Sequence, residues 1–569
     1  MNRKTALMTA LTLTICYFIL VIIFLDMRFS EGDDFAVELV TALKLPNSDF
    51  YPIFFGNYLE VIFYNLLKFL SKIYSGIGWF ALISQLLNAV NYFIVTFSIL
   101  QKTKTKIEAF TLITFFSTFF IFFITNINFT AIPMSLALPI GFLIGSNKKN
   151  SILKVFLLIT LMFFALSLRG LAFFTTFGLV LFYLFLKKNH KKFNLKETLK
   201  YITYGLIPLS FYLVSPSTNN QIIDKNTYNH FLKIGELGKG YEENSAKELK
   251  LILKNSSVRL VEIELLKNQI IYDFSNFSQK TKQINAAKSN LKKPKKSLWE
   301  RLTRLNRNIL KRKNTTIFLI IFISVVFLYL KKNYLIPTLV IPVFYLGLLI
   351  FFSIKLPGNY FVYPYIFVTC FILLYESIKK LDLKDRPFEY IFIFLIVGLS
   401  IRYLISNIKP EKMNLNPSFA AEISKLKKQE IVLHIIDEDV LRSIHSGIRR
   451  EKMKAKILTR GWRALGKNNL EFLKNNNLSM NMCENLINKK IILISSDYYA
   501  YLYHNLCELK SRSLCLKRSS AFNDLKYWQI ESYTDECQAK LIKNGLPPIK
   551  KVMPYFSKVF NDDMSLKTQ

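Results

Sequence analysis

Apolar runs of bilayer-spanning length recur from Ala6 to Ile405, and they leave this chain few ways to fold. A helix needs about 20 apolar residues to cross the hydrocarbon core, where every backbone N–H and C=O must be satisfied internally. The runs are Ala6–Leu25, Trp79–Leu100, Ile107–Thr125, Ala131–Gly145, Ile152–Leu168, Leu171–Leu186, Tyr201–Ser215, Ile317–Leu330, Tyr334–Ile354, Tyr360–Ile378 and Tyr390–Ile405. Several are shorter than about 20 residues, which tilting or partial burial would accommodate. They predict an all-α polytopic membrane domain of about eleven transmembrane helices over residues 1–406. The 51 Phe residues agree, being more than a soluble core could reasonably hold.

A formal charge of +37 raises nucleic acid as a partner. The lysines, however, sit in short clusters between apolar runs: Lys102, Lys104 and Lys106; Lys148 and Lys149; Lys187, Lys188, Lys191 and Lys192; Lys379 and Lys380. Cytoplasmic loops obeying the positive-inside rule have this pattern, so no nucleic-acid partner is expected. Arg3 and Lys4 precede the first run without a small-residue cleavage site after it, as in a signal anchor with its N-terminus inside. Alternation then puts the first loop (residues 26–78), the long loop (about 216–313) and a C-terminal domain (407–569) outside a bacterial inner membrane. The basic end of the long loop weighs little, since long loops translocate largely regardless of charge. Within it, Ser297–Leu310 has the pattern of an amphipathic helix on anionic lipid, with Trp299 at the interface.

The C-terminal domain reads as a small soluble α/β module. Glu430–Ile436 and Lys490–Ser495 have the pattern of buried strands, Asn468–Lys474 and Tyr498–Leu509 that of helices, and Lys526–Ser532 that of an edge strand. Cys483, Cys507, Cys515 and Cys537 all fall here, enough for two disulfides with three possible pairings in an oxidising compartment, or for four buried thiols. Asp437–Asp439 and Ser495–Asp497 follow strands, where α/β sheets bind ligands, but helix N-capping, the usual role of Asp and Ser, is the favoured explanation. The scattered His residues offer no metal spacing, and no phosphate-binding Gly-rich loop occurs.

Chemistry is most legible in the first outer loop, where Glu31, Asp33, Asp34 and Glu38 crowd together just past the first span. Mutual repulsion and a nearby low-dielectric membrane raise the pKa of at least one such carboxylate, suiting it to accept a proton from an attacking hydroxyl. Gly32 permits the turn. The plain alternative is a solvated loop with Asp33 or Asp34 capping a helix over Phe35–Leu43. Next, Tyr51–Lys68 is amphipathic, too polar to span, and fits a helix lying on the outer surface. Arg169 stands between two runs at their outer boundary, where a charge is costly unless paired or functional. Its guanidinium could grip a phosphate through two parallel hydrogen bonds, or simply pair with an acidic neighbour.

First helix, acidic pair, surface helix and aromatic-led second span together resemble the GT-C glycosyltransferases, in particular a bacterial multi-span group of that type. The likeness covers about the first hundred residues and the general layout. It implies transfer of a sugar from a polyprenyl-phosphate donor to an envelope glycan, lipid or protein acceptor on the outer face. Asp33 or Asp34 would be the base, with Glu31, Asn57 and Glu60 in support. Arg169 and Lys355 would hold the donor phosphate, and Tyr360 and Tyr363 would line the substrate. Asn359-Tyr360 and Tyr363-Pro364 match the family's Arg-Tyr-Pro-like turn only in part, for the Arg is missing; an interfacial Lys and an aromatic belt are the plain readings there. No cofactor is required; a hard cation, Mg²⁺ or Mn²⁺, would sit at Asp33 and Asp34 if one were used. The competing classes are a transporter or flippase of lipid-linked saccharides, and an envelope polymerase. A transporter would carry polar residues deep in several spans, and the runs read instead as Phe, Leu and Ile with polar groups at their outer ends.

Overall fold

A computed structural model describes residues 2–25, 28–29, 58–74, 76–146, 152–189, 195–214, 252–267, 270–273, 275–289, 312–354, 359–379, 381, 387–407, 432–435, 456–459, 473–488, 490–496, 499, 502–503, 506–507, 514–522 and 525–532. Apolar helices dominate it. Six of them are long and apolar enough to cross a membrane among the described residues, and three shorter apolar helices accompany them. Ile19 (51% exposed), Phe322 (64%) and Phe394 (77%) stand on the outside of the bundle. A helix bundle whose rim is this apolar needs lipid around it rather than water. The chain is therefore a multi-pass membrane protein.

In chain order the helices are α1 (Arg3–Phe24), α2 (Tyr58–Ile73), α3 (Trp79–Lys102), α4 (Lys106–Thr125), α5 (Ala131–Ile144), α6 (Ile152–Asn189), α7 (Leu195–Val214), α8 (Leu260–Lys267) and α9 (Phe277–Ser289) of the long loop, α10 (Arg312–Leu330), α11 (Leu335–Ile354), α12 (Asn359–Lys379) and α13 (Pro387–Asn407). Local chemistry sets several of the ends. Thr105 accepts from the Glu108 amide while the Glu108 carboxylate accepts from the Lys104 amide, a reciprocal cap that starts α4. Asn128 Oδ1 takes the amides of Thr130 and Ala131 and starts α5.

The 38 residues of α6 would extend about 57 Å as one rod, nearly twice the hydrocarbon thickness. They do not form one rod. Arg169 has extended backbone angles (φ −164°, ψ 87°) inside the helix. The Lys154 ammonium donates to the Ser146 carbonyl, so the first arm (152–168) starts beside the end of α5. At its other end Arg169 bonds Thr130, at the beginning of α5. From there Thr176 bonds the Met134 carbonyl, Val180 packs on Gly141 and Leu184 on Gly145, so the second arm (170–189) runs back alongside α5. The chain reverses at Arg169. Gly141 and Gly145, one turn apart, let the two backbones approach as small residues do in membrane helix pairs.

Other contacts keep the same alternation. Tyr363 near the start of α12 donates to the Phe119 carbonyl of α4, and Tyr403 near the end of α13 donates to Tyr363. Cys370 and Ser377 of α12 bond the carbonyls of Ile317 and Ser324, so α10 and α12 run in the same direction. Lys331, just past α10, pairs with Glu389 at the start of α13. One membrane face therefore carries Arg3, Gly145, Lys187, Lys331 and Lys379 and is called the N-terminal face. The other, the Arg169 face, carries Asn126, Arg169, Tyr363 and Tyr403. In the middle is α12, whose spanning stretch is 94% buried, while those of α1 and α13 are 22% and 28% buried.

Beyond α13 the chain builds a five-stranded sheet from β3 (Val432–Ile435), β4 (Lys456–Thr459), β5 (Ile491–Ser496), β6 (Leu514–Phe522) and β7 (Leu525–Ser532). Its order is β4-β3-β5-β7-β6; β4, β3 and β5 are parallel, and the β6–β7 hairpin adds antiparallel. The edge-strand reading of Lys526–Ser532 is corrected here: β6 covers β7, which is internal. A short helix, α14 (Met482–Ile487), precedes β5, and Cys483 is disulfide-bonded to Cys507. Cys537 and the side chain of Cys515 lie outside the described residues, as do Asp437–Asp439, Asp497 and Ser297–Leu310. The Met482 amide donates to the Tyr272 carbonyl at 2.8 Å, and Asp273 bridges Asn481. The long loop and the C-terminal sheet are thus joined on one side, with α10 to α13 lying between them in sequence.

Candidate functional site

Of the features singled out in the sequence, the described residues place Arg169 and Tyr363 on the Arg169 face. Two short strands meet there: β1 (Arg28–Phe29) pairs in parallel with β2 (Asn126–Ile127), Arg28 opposite Asn126 and Phe29 opposite Ile127. Thr130, the partner of Arg169, is three residues past Ile127. The backbone just before the acidic stretch is therefore tied to the segment that receives the guanidinium. Glu31, Asp33, Asp34, Asn57 and Lys355 themselves lie outside the described residues. An extended chain advances at most about 3.6 Å per residue, which keeps Asp33 and Asp34 within roughly 14–18 Å of Phe29.

Arg169 is half-buried. Its Nη1 donates to Thr130 Oγ1 at 2.6 Å, and its guanidinium carbon lies 5.1 Å from the centre of the Phe129 ring. Among the described residues no carboxylate is within ion-pair distance of it. A guanidinium carries five N–H donors, and a single threonine hydroxyl leaves most of them available to an oxyanion. The chain reversal puts this group at the membrane boundary rather than midway along a helix.

Of the amphipathic stretch Tyr51–Lys68, the part from Tyr58 is helical as α2, which continues to Ile73, and residues 51–57 lie outside the described residues. Phe63, Tyr64 and Leu67 are buried, Phe69 and Ile73 face outward, and Phe63 meets Phe164 of the first α6 arm edge-on at 5.8 Å. Glu60 is only 2% exposed, so it sits in the protein and not in the solvent of an open loop. Tyr363 serves as a brace among α4, α12 and α13, and Tyr365 stacks on Phe344 at 5.4 Å; both are buried away from an interfacial belt. The side chain of Tyr360 lies outside the described residues.

Two groups of residues were missed by sequence reasoning. Gln85, Asn88 and Asn91 form a buried amide row on α3. Gln85 and Asn88 donate to the carbonyls of Ile124 and Phe123, which the end of α4 leaves without helical partners, and Asn91 donates to Ser135. Among the described residues the side-chain carbonyl oxygens of all three amides have no hydrogen-bond partner. Their three-residue spacing was the available signal, hidden by counting apolar length alone. The reading of the spans as free of deep polar groups is corrected to that extent. The second group is a basic cavity on the N-terminal face, formed by lysines that the sequence explains as topology signals.

Among the described residues no group of His, Cys, Asp and Glu is arranged to hold a metal. In the sheet, His434 is buried, its Nδ1–H donating to the Leu458 carbonyl (3.2 Å) and its Nε2 accepting from Tyr503 (2.9 Å). Burial pushes its pKa down to about 4, so the ring is neutral and structural at pH 7. No family model, curated protein or solved structure matches the chain.

Proposed function

We propose that this chain is a membrane glycosyltransferase of GT-C type, taking a sugar from a polyprenyl-phosphate donor and passing it to an envelope glycan, lipid or protein on the outer face of a bacterial inner membrane. In this reading the N-terminal face is cytoplasmic. Lys102, Lys104, Lys106, Lys154, Lys187, Lys331 and Lys379 on that face support it, and the Cys483–Cys507 disulfide suits an oxidising compartment for the C-terminal region. In this reading α1, α3, α4, α5, both arms of α6, α7 and α10 to α13 are each taken as one crossing, eleven in all. The four crossings of α10 to α13 suit the contact between Tyr272 and Met482, which needs an even number. Residues 407–569 then form an extracytoplasmic α/β domain.

The observation that carries the proposal is Arg169, a half-buried guanidinium without a described carboxylate partner, at a membrane boundary tied through β2 and β1 to the acidic loop. An acceptor hydroxyl would attack the anomeric carbon as Asp33 or Asp34 takes its proton. The new C–O bond forms as the sugar–phosphate bond breaks, with inversion, and the phosphate leaves towards Arg169. A positioned base contributes about 10²–10⁴-fold to such a step. Asp33→Asn and Asp34→Asn, each checked for expression and membrane insertion, should abolish or sharply reduce a surface glycan of the host. Unchanged surface glycans in both variants would overturn the reading.

The buried amide row of α3 favours a second reading, a transporter of lipid-linked saccharides. Such a protein would move a labelled lipid-linked sugar across reconstituted vesicles without cleaving the sugar–phosphate bond.

A further inference from the structure

On the N-terminal face a cavity of about 280 Å³ opens among the ends of α3, α5, α12 and the second arm of α6. Its deeper wall is apolar: Leu138, Phe142, Val180, Phe371 and Ile372. Its rim holds Lys102, Lys187 and Lys379. Lys187 donates to Tyr183 at 2.9 Å and pairs with Glu376 at 2.6 Å, while Lys379 stands 3.9 Å from the same carboxylate. Glu376, almost fully buried, also accepts from the Tyr183 hydroxyl. Lys102 has no carboxylate among the described residues; its ammonium lies 4.8 Å from the centre of the Phe142 ring. Lys379 likewise rests 4.3 Å from the Tyr375 ring. Lys187 and Lys379 thus flank one carboxylate, and Lys102 lines the same cavity.

Topology explains lysines near this face, but not their convergence. Positive-inside signals act when spread through solvated loops, where repulsion is small. Here three cations line the edge of an apolar cavity with one carboxylate, Glu376, among the described residues, and that carboxylate pairs with only two of them; unbalanced charge in such a place is costly. A bound anion would remove the imbalance, and the apolar wall would receive a hydrocarbon chain. The volume sits at the low end of small-molecule pockets, about 300 Å³, enough for a headgroup and its first carbons but not a whole lipid.

We propose that this cavity binds the phosphate headgroup of an anionic lipid from the leaflet at the N-terminal face, with the lysine rim on the phosphate and the Phe142–Phe371 wall against the start of the chain. The assignment depends on the membrane location and not on glycosyl transfer. Arg169→Gln, on the opposite face, should leave it unchanged.

The test uses full-length protein in detergent. Phosphatidic acid, phosphatidylcholine and inorganic phosphate are each titrated, with thermal stabilisation and native mass spectrometry as readouts. Wild type should retain and be stabilised by phosphatidic acid over phosphatidylcholine. Lys102→Gln should weaken that binding about tenfold, the scale of one charge-assisted hydrogen bond, and Lys102→Arg should restore most of it. Because Lys102 makes no hydrogen bond or ion pair among the described residues and stands in a cluster of like charge, its replacement should not lower the unliganded melting point. Leu138→Phe fills the apolar wall while keeping every lysine, and should weaken phosphatidic acid but not inorganic phosphate. Equal binding of phosphatidic acid to wild type and Lys102→Gln would overturn the site. Equal affinity for inorganic phosphate and phosphatidic acid would overturn its assignment to a lipid.

Discussion

Replacing Gly141 with Ala tests the reversal of α6 at Arg169, on which the geometry of the Arg169 face depends. A Cβ at position 141 would stand 2.3 Å from Val180 Cγ1, against about 3.5–4.0 Å for a comfortable carbon–carbon contact. The second arm must retreat by more than 1 Å or Val180 must change rotamer, and its Cβ, already 3.7 Å away, leaves little room. Overpacking of this kind costs about 1–3 kcal/mol. Val180→Ala removes the offending methyl at the cost of a small cavity, and the pair should be strongly coupled, by about 0.5–3 kcal/mol. Thermal unfolding in detergent of wild type, both single variants and the double variant completes the cycle. The double variant should melt above the sum of the single effects. Additive effects would mean that positions 141 and 180 do not touch, as in a straight 38-residue helix, and the reversal would be refuted.

Other outcomes follow from separate parts of the structure. His434 binds a proton at about 4 when folded and at about 6.5 when unfolded, so protonation favours the unfolded sheet. Stability should be full above pH 6.5 and fall as pH drops towards 4, by about 2 kcal/mol at pH 5; faster hydrogen exchange in β3 would report it, and flat exchange from pH 7 to 5 would contradict it. Interactions with Ser275, Asn276 and Lys280 hold the Asp273 carboxyl below its ordinary range, so Asp273→Asn should loosen the turn before α9 and expose Met482 to exchange. Non-reducing peptide mapping should recover Cys483 joined to Cys507, and removing that 24-residue link should cost about 3 kcal/mol. With Arg169 on the donor phosphate as proposed, Arg169→Gln should lower the apparent donor affinity at least tenfold, with a modest loss of stability from the one charge-assisted hydrogen bond to Thr130.

Length and apolarity made the spans legible, and the boundary at Arg169 could be placed because a charge interrupted two runs. What periodicity could not supply was partnership. Gln85, Asn88 and Asn91 look like isolated polar residues until the end of α4 is seen to need donors for Phe123 and Ile124. The convergence of Lys102, Lys187 and Lys379 comes from three segments far apart in sequence, each with a sufficient local explanation. In the sheet, Lys456–Thr459 and Leu514–Phe522 escaped notice because their lysines, arginine and serines break the apolar alternation, yet both are edge strands, where such residues are usual. Tyr363 looked interfacial because it follows a turn; its hydroxyl is instead spent on helix contacts.

The central claim is that the acidic loop and the Arg169 guanidinium share one chamber at one membrane face. Paired cysteines test it directly: Asp34→Cys with Thr130→Cys, in native membranes, treated with a short bis-maleimide, with each single variant as a control. A cross-link formed in the double variant alone is the predicted result. No cross-link with Asp34→Cys or Asp33→Cys, while Phe29→Cys and Ile127→Cys join readily across the β1–β2 pair, would contradict the account.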